Sequence, residues 1–231
     1  MRQILRLGRN IVKYNFLKLK KPKSIHNLIA RHFRNWSEEN HINRPGITLA
    51  INEMLSATPV IVETGTSAYG TDSSRLFDAL IRYLSGTFYS VDINPSASRD
   101  LIYQHDKQTF FFVDDSVNFL KNRLGALTSK VDLFYLDSFD VDWEYPLESA
   151  RHGISEFEEI KRFIKPGTIL IVDDTPSTIE YIPKKFQQIA LDFQNCYGVL
   201  PGKGALILKE LQKIKNAEVL LHEYNLVVKF N

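Results

Sequence analysis

The sequence predicts an α/β protein with a doubly wound, mostly parallel, seven-stranded sheet and a helical extension at its N-terminus. Three observations lead to this prediction. Short apolar, β-branched runs alternate with helical patterns along most of the chain, as in a βαβ series. These runs are continuously apolar, which is typical of parallel strands covered by helices on both faces. Several of them end abruptly on acidic residues, at the edge where open α/β sheets bind ligands.

Length and composition fit one folded domain. The chain has 231 residues, of which 44% are hydrophobic and 24% charged, and no apolar run approaches the roughly 18 residues needed to cross a bilayer. Its single cysteine, Cys196, has no partner for an internal disulfide. We therefore expect a cytoplasmic, reducing environment.

Residues 1–45 are predicted to form a basic helical extension and residues 46–231 the main domain. The first 25 residues contain eight basic and no acidic side chains, which leaves a net charge of −6 on the rest of the chain. Four of the basic residues recur at helical spacing, namely Arg2, Arg6, Arg9 and Lys13. Such a basic amphipathic helix can pack on the domain, lie on an acidic membrane surface or contact a polyanionic substrate. It lacks the features of a secretory signal.

The remaining elements follow in order along the chain. Two helices are predicted first, at Ser24–Ser37 and Ile47–Leu55. Five strands follow, at Val60–Glu63, Thr87–Asp92, Thr109–Val113, Val131–Asp137 and Thr168–Asp173. Helical patterns separate and follow them, at Ser73–Leu84, Ser96–His105, Ser116–Leu124, Leu147–Ile164 and Ile179–Asp192. Two further strands are predicted at Cys196–Leu200 and Ala205–Lys209, and Glu218–Phe230 is expected to add an edge strand or a hairpin.

The fifth strand ends on two adjacent acids, Asp173 and Asp174, in the segment GTILIVDDTPS. Three interpretations compete: a phospho-acceptor pocket as in receiver domains, a metal or cofactor site, and a helix cap. A receiver domain carries its acidic pair on the first strand, with about 100 residues still to follow. Here only 57 residues follow Asp174, so the phospho-acceptor interpretation fails.

The ends of the first three strands carry groups suited to a nucleotide. Gly65 and Gly70 lie in the turn after the first strand, where glycine lets the backbone approach a ligand closely. Asp92 ends the second strand, where a carboxylate can accept hydrogen bonds from both ribose hydroxyls. Asp115 or Ser116, after the third strand, is placed to meet an adenine edge or to cap the next helix. The middle glycine of a G-x-G-x-x-G fingerprint is missing, which disfavours NAD.

These segments together resemble the class I S-adenosylmethionine-dependent methyltransferases. The resemblance rests on VETGTSAYG, VDIN, VDDS, VDLFYLDS and GTILIVDD, over roughly residues 57–210. It is strongest to the metal-dependent O-methyltransferases, including the catechol, caffeoyl-CoA and macrocin types. Asp114 departs from the family pattern, where glycine is common. The resemblance implies S-adenosylmethionine as cofactor and the following binding positions: Glu63, Gly65, Thr66, Ser67, Gly70, Asp92, Ile93, Asp115, Ser116 and Asp137.

Three acids are expected to crowd the ends of strands four and five. Adjacent strands lie about 4.8 Å apart, so Asp137, Asp173 and Asp174 would repel one another unless a positive group lies between them. Oxygen ligands suit a hard divalent cation, most of all Mg²⁺. The resemblance places metal ligands at the same strand ends.

The sequence thus predicts a methyltransferase that acts on a hydroxyl of a small molecule or sugar with help from a divalent cation. His152 and Asp140 are the candidate general bases, and Trp143 and Tyr145 are candidates for an aromatic wall. No nucleic-acid partner is predicted, and both a monomer and a homodimer are open. The alternatives are an NAD-type oxidoreductase and a binding protein that kept the fold but lost catalysis.

Overall fold

A computed structural model describes residues 22–66, 70–99, 101 and 105–231. The basic helix predicted around Arg2 to Lys13 lies outside the described residues. Within them is one seven-stranded sheet in the order β3-β2-β1-β4-β5-β7-β6. The strands are β1 (Val60–Thr64), β2 (Thr87–Asp92), β3 (Thr109–Val113), β4 (Leu133–Leu136), β5 (Ile169–Val172), β6 (Ala217–His222) and β7 (Leu226–Phe230). The first five are parallel, and β7 runs antiparallel between β5 and β6, which confirms the predicted fold class.

Eight α-helices flank the sheet in the described residues. They are α1 (Ile25–Asn35), α2 (Arg44–Glu53), α3 (Ser73–Leu84), α4 (Ser116–Asn122), α5 (Leu124–Leu127), α6 (Leu147–Ile160), α7 (Gln187–Tyr197) and α8 (Ala205–Leu211). Short 3₁₀ turns lie at Lys161–Phe163, Ile179–Tyr181 and Lys184–Phe186. None of the helices in these ranges is long and apolar enough to cross a membrane.

The region between β5 and the C-terminal hairpin differs from the prediction. Cys196–Leu200 and Ala205–Lys209 were predicted as strands, but they form the end of α7, a loop and the helix α8. Ala205, Ile207 and Leu211 bury one side of α8, and the hairpin of β6 and β7 fills the sheet edge instead. Pro183 cannot continue a helix, so the single helix predicted at Ile179–Asp192 is replaced by two turns and α7. The described residues 96–99, within the helix predicted at Ser96–His105, form turns.

Alternating side chains of the strands build an apolar core on each face of the sheet. Along β4, Phe134 and Leu136 belong to one cluster, and Leu133 and Tyr135 belong to the other. Helix α1 contributes Leu28, Ile29 and Phe33 to the second cluster, so the described part of the N-terminal extension packs on the sheet. A division into two domains at residue 45 stays a prediction.

The carboxyl ends of the five parallel strands share one edge of the sheet. Hydrogen bonds continue one residue beyond the strands, because Gly65 N–H donates to Val91 O (2.9 Å) and Asp137 N–H to Thr64 O (2.9 Å). Asp173 N–H likewise donates to Leu136 O (3.0 Å). The two aspartates are therefore fixed by the backbone at the point where the buried strands reach this edge.

Candidate active site

A cavity of about 820 Å³ opens at this edge of the sheet. Its volume lies within the range of small-molecule sites in proteins. The lining comes from the strand ends, from residues 41–43 before α2, from residues 138–141 and Trp143 after β4 and from Tyr224 between β6 and β7. The site therefore draws on nearly the whole length of the described chain.

Asp92 is held rigidly at the end of β2. Its Oδ2 accepts a hydrogen bond from Thr66 N–H (2.9 Å), and its Oδ1 accepts one from Asn94 N–H (2.7 Å). Each carboxylate oxygen has a further lone pair, so both remain able to accept a bond from a ligand hydroxyl. Gly65 has φ +83°, and a Cβ there would overlap the backbone of Asp137. Glycine is therefore required where the β1 turn passes the end of β4.

The predicted adenine side lies at the other end of the cavity, after β3. Ile93, Asp115 and Ser116 all line the cavity, and Ile93 is 75% exposed. Asp115 also caps α4, since its Oδ1 accepts a bond from Asn118 N–H (2.8 Å). Asp114 instead contacts Asn118 Nδ2 (2.8 Å) and Arg123 (3.1 Å) outside the cavity lining.

Two of the predicted cofactor positions, Glu63 and Gly70, lie outside the cavity lining. Glu63 is fully buried behind the turn and accepts bonds from the hydroxyls of Ser73 (2.6 Å), Ser74 and Ser90 (2.6 Å). Burial raises the pKa of Glu63 to about 7, against the opposing effect of the serine hydroxyls. This carboxyl fixes α3 against β1 and β2, outside the cavity lining. Gly70 (φ +85°) is also outside the lining, and Ser67 lies outside the described residues.

The acidic end contains a lysine that the sequence analysis missed. Lys203 Nζ lies 2.5 Å from Asp137 Oδ1 and 3.0 Å from Asp174 Oδ2, and it donates to the Asp137 carbonyl at 3.1 Å. Lys203 is only 2% exposed. Burial lowers the pKa of Lys203, but the three neighbouring carboxylates outweigh this and raise it, so the ammonium stays charged. Lys203 therefore supplies the positive group that these acids require, at the place where a divalent cation was predicted.

Asp173 and Asp174 are paired with further side chains of the acidic end. Asp173 Oδ2 accepts bonds from Asn43 Nδ2 and from Tyr135 OH, both at 2.6 Å, and its Oδ1 accepts one from Asp174 N–H (2.8 Å). Tyr224 OH donates to Asp174 Oδ1 (2.6 Å). Burial, together with the neighbouring carboxylates, raises the pKa of Asp137 well above its usual range and that of Asp173 to about 6. Deeply buried acids are thus tolerated through hydrogen bonds and one ammonium.

Three free carboxylates would suit a divalent cation. With Lys203 and the other hydrogen-bond donors in contact with them, these carboxylates do not. Four of the six carboxylate oxygens accept a hydrogen bond and a fifth, Asp174 Oδ2, is ion-paired with Lys203; the sixth, Asp137 Oδ2, has no hydrogen-bond partner among the described residues. Among the described residues, no group of three His, Cys, Asp or Glu side chains is arranged to hold a metal ion. At the metal site predicted at Asp137, Asp173 and Asp174, the Lys203 ammonium therefore occupies the position between the acids.

The two predicted bases both line the cavity, in different surroundings. His152 Nε2 lies 2.9 Å from both Ser116 Oγ and Ser138 Oγ, which places the ring on the adenine side. Burial lowers the pKa of His152, but the hydrogen bond and charge of Glu156 outweigh it and raise the pKa overall. Asp140 is exposed in the loop after β4.

His41 and Asn43 also line the cavity, and both come from a segment without a recognisable motif. His41 Nδ1 accepts a bond from Asn43 N–H (3.2 Å), and burial lowers the pKa of His41, which favours the neutral ring at neutral pH. Asn43 is 3% exposed, and its Oδ1 has no hydrogen-bond partner. No pattern in the sequence indicated that either residue would reach the sheet edge.

No protein-family model matches the chain, and no curated protein matches its sequence. Solved structures with a similar fold exist. The MycE methyltransferase from the mycinamycin biosynthetic pathway, in complex with Mg and SAH, has a TM-score of 0.62 at 17% identity. The match covers 92% of this chain but only 55% of MycE, so the chain spans about half the length of that protein.

Two other structures match over most of both chains. SAH-bound PaMTH1 from Podospora anserina has a TM-score of 0.54 at 12% identity, covering 91% of this chain and 88% of its own. Apo CalS11, a TDP-rhamnose 3′-O-methyltransferase of calicheamicin biosynthesis, has a TM-score of 0.53 at 12% identity, covering 96% and 93%. The chain thus has the Rossmann-like fold of the class I methyltransferases.

Proposed function

We propose that this protein is an S-adenosylmethionine-dependent methyltransferase that methylates a hydroxyl group of a small molecule or sugar. The observation that carries the proposal is the row of polar groups along one sheet edge, in the order Asp115, Asp92, Gly65, Asp137 and Asp173. Four strand spacings separate its ends, which is roughly 19 Å. An elongated nucleoside and an acceptor can lie side by side along such a row.

Each part of the proposed cofactor has a matching group in the chain. The carboxylate of Asp92, oriented by two backbone N–H groups, would bind the ribose hydroxyls. Ile93 would cover one face of the base, with Asp115 and Ser116 at its edge. When bound, S-adenosylmethionine supplies a methyl group activated on a sulfonium. The chain has to align the acceptor, exclude water and remove a proton.

The acceptor would lie beside the acidic end. Two buried acceptor atoms, Asn43 Oδ1 and Asp137 Oδ2, have no hydrogen-bond partner in the part of the chain that the structure describes, and both belong to residues that line the cavity. A buried acceptor without a donor costs about 1–3 kcal/mol, so a ligand with more than one hydroxyl would gain by supplying both bonds. This favours a polyhydroxylated acceptor such as a sugar, and CalS11 is itself a sugar O-methyltransferase.

We assign the general base to Asp140 rather than His152. His152 Nε2 is engaged by Ser116 and Ser138, and a raised pKa increases the protonated fraction of the ring at neutral pH. A protonated imidazole cannot accept the acceptor's proton. His152 stacks on Phe139 (5.1 Å), which has φ +59°, and so positions this strained loop residue at the cavity.

Calorimetric titration of the full chain tests the cofactor assignment. S-adenosylhomocysteine is expected to bind at one site per chain, because the ribose acid and the β1 turn are already in place, whereas NAD is expected not to bind. Binding of NAD without binding of S-adenosylhomocysteine would instead favour the oxidoreductase alternative. Release of S-adenosylhomocysteine can then be screened over hydroxylated acceptors, with sugar nucleotides included.

Asp140→Asn is expected to lower kcat by about 100-fold or more, the usual range for loss of a general base, without changing the affinity for S-adenosylhomocysteine. The measurement is the initial rate with an acceptor identified in the screen, beside titration of the cofactor product. Asp142→Asn is the matched control, because Asp142 lies in the same loop but accepts bonds from the backbone N–H groups of Glu144 (2.9 Å) and Tyr145 (3.3 Å). Equal rates for the Asp140 variant and wild type would refute the assignment.

A further inference from the structure

We propose that Lys203 is a built-in replacement for a divalent cation, so that the acidic end of the site neither binds nor requires one. The inference concerns the charge balance of Asp137, Asp173 and Asp174. Its meaning for catalysis rests on the proposed methyl transfer. Three features of the structure support it.

The first feature is the contact geometry of the ammonium group. Nζ bridges Asp137 Oδ1 at 2.5 Å and Asp174 Oδ2 at 3.0 Å, the two acids that end neighbouring strands. A Mg²⁺ ion would have to lie about 2.1 Å from the same oxygens. A Mg²⁺ ion on these two oxygens would lie close to the ammonium and would be repelled by its charge. The third donor of Lys203 is also used, on the Asp137 carbonyl at 3.1 Å.

The second feature is the backbone of the loop at residues 202–204, which is hydrogen-bonded to the end of β5 and packs closely against it. Lys203 N–H donates to Asp174 O (3.0 Å), and Gly204 N–H donates to Thr175 Oγ1 (3.0 Å). Gly202 has φ +153°, and a Cβ at that position would overlap the Asp174 carbonyl. The chain passes so close to β5 that the lysine cannot leave unless this loop separates from the strand.

The third feature is the packing on the opposite side of the loop. Gly153 of α6 faces the Lys203 carbonyl so closely that a Cβ on Gly153 would overlap it. The lysine backbone is thus held between the end of β5 and α6. Because both sides are fixed, the ammonium is placed as precisely as the acids that it bridges. Lys203 therefore acts as a positioning residue, which fixes Asp137 and leaves its Oδ2 without a partner among residues 22–66, 70–99, 101 and 105–231.

The proposal is tested on the chelator-treated full chain, with Mn²⁺ as the probe and free Mn²⁺ followed by electron paramagnetic resonance. Wild type is expected to leave the free Mn²⁺ signal unchanged. Its affinity for S-adenosylhomocysteine, titrated in the same samples, is expected to be equal with chelator and with Mg²⁺. Binding of one Mn²⁺ per chain that is lost in Asp137→Asn would overturn the proposal, even if the cofactor product still binds. Failure of S-adenosylhomocysteine to bind at all would overturn the proposed function instead, whatever Mn²⁺ does.

Lys203→Ala supplies the converse test. Removing the ammonium opens space between the acids, so this variant is expected to bind Mn²⁺ and to gain thermal stability from Mg²⁺, whereas wild type gains none. A folded variant that binds no Mn²⁺ would contradict the claim that the lysine occupies a cation position. If the variant does not fold, the wild-type titration decides the question alone.

Discussion

Lys203→Met is expected to lower the free energy of unfolding at neutral pH by about 3–5 kcal/mol, the usual cost of removing one partner from a buried ion pair. Methionine keeps much of the side-chain volume but leaves Asp137 and Asp174 without their shared cation. Urea denaturation followed by circular dichroism measures the loss.

The loss in Lys203→Met should depend on pH in a defined direction. Without the ammonium, the pKa values of the buried acids in the folded state rise further above their unfolded values, and that of Asp173 is already about 6 in wild type. The folded variant then binds more protons than the unfolded chain, so its stability falls as the pH rises from about 5 to 8. A deficit that is constant over this range would contradict the electrostatic origin.

Two further variants separate charge balance from packing. Lys229→Met is the matched control, since Lys229 pairs with Glu53 (2.9 Å) at a partly exposed site, and such pairs contribute about 1 kcal/mol or less. Lys203→Met combined with Asp137→Asn should be more stable than Lys203→Met alone, because one uncompensated buried charge has been removed. If the double variant is no more stable, the bridge between the two residues is not the source of the loss.

Asp92→Asn is expected to weaken binding of S-adenosylhomocysteine by about 30- to 1000-fold. Hydrogen bonds to a charged group contribute about 1.5–3 kcal/mol each and those to a neutral group about 0.5–1.5 kcal/mol, so the two ribose hydroxyls together would lose about 2–4 kcal/mol. The amide would also place an NH₂ group opposite the N–H of Thr66 or of Asn94, where two donors face each other. Isothermal titration gives the affinity directly.

The control for Asp92→Asn is Asp192→Asn, which changes the same atoms at an exposed position on α7. It should bind the ligand as wild type does. The melting temperature of each variant, measured without ligand, separates loss of binding from loss of fold. Wild-type affinity in a folded Asp92→Asn protein would remove the ribose assignment, and with it the main support for the nucleoside end of the site.

The sheet and its acidic edge could be predicted because they follow from local patterns. The bounds of β2 and β3 are those that the apolar runs indicated, and adjacency of β4 and β5 follows from the βαβ order. Such patterns also indicated which acids end the strands. They gave no information on partners from distant parts of the chain.

The remaining features depend on contacts between residues far apart in the sequence. Asn43 reaches Asp173 across 130 positions, from a segment with no motif. Lys203 lies between two segments that were predicted as strands, because PGKG is typical of turns. A turn motif does not indicate where its lysine side chain points. Glu63 was assigned to the cofactor because the resemblance to the methyltransferases implies it. Three serine hydroxyls instead hold it inside the protein, and sequence spacing does not distinguish the two arrangements.

Because the chain is synthesised from its N-terminus, the residues of the two halves of the site become available at different times. The described residues of the nucleoside half have all been made once residue 152 is reached, but the acidic half also needs Lys203 and Tyr224, which follow later in the chain. During synthesis, Asp137, Asp173 and Asp174 emerge before their counter-charge exists. A nascent chain therefore cannot close this half before residues that follow β5 have been made, and those residues complete the acceptor side.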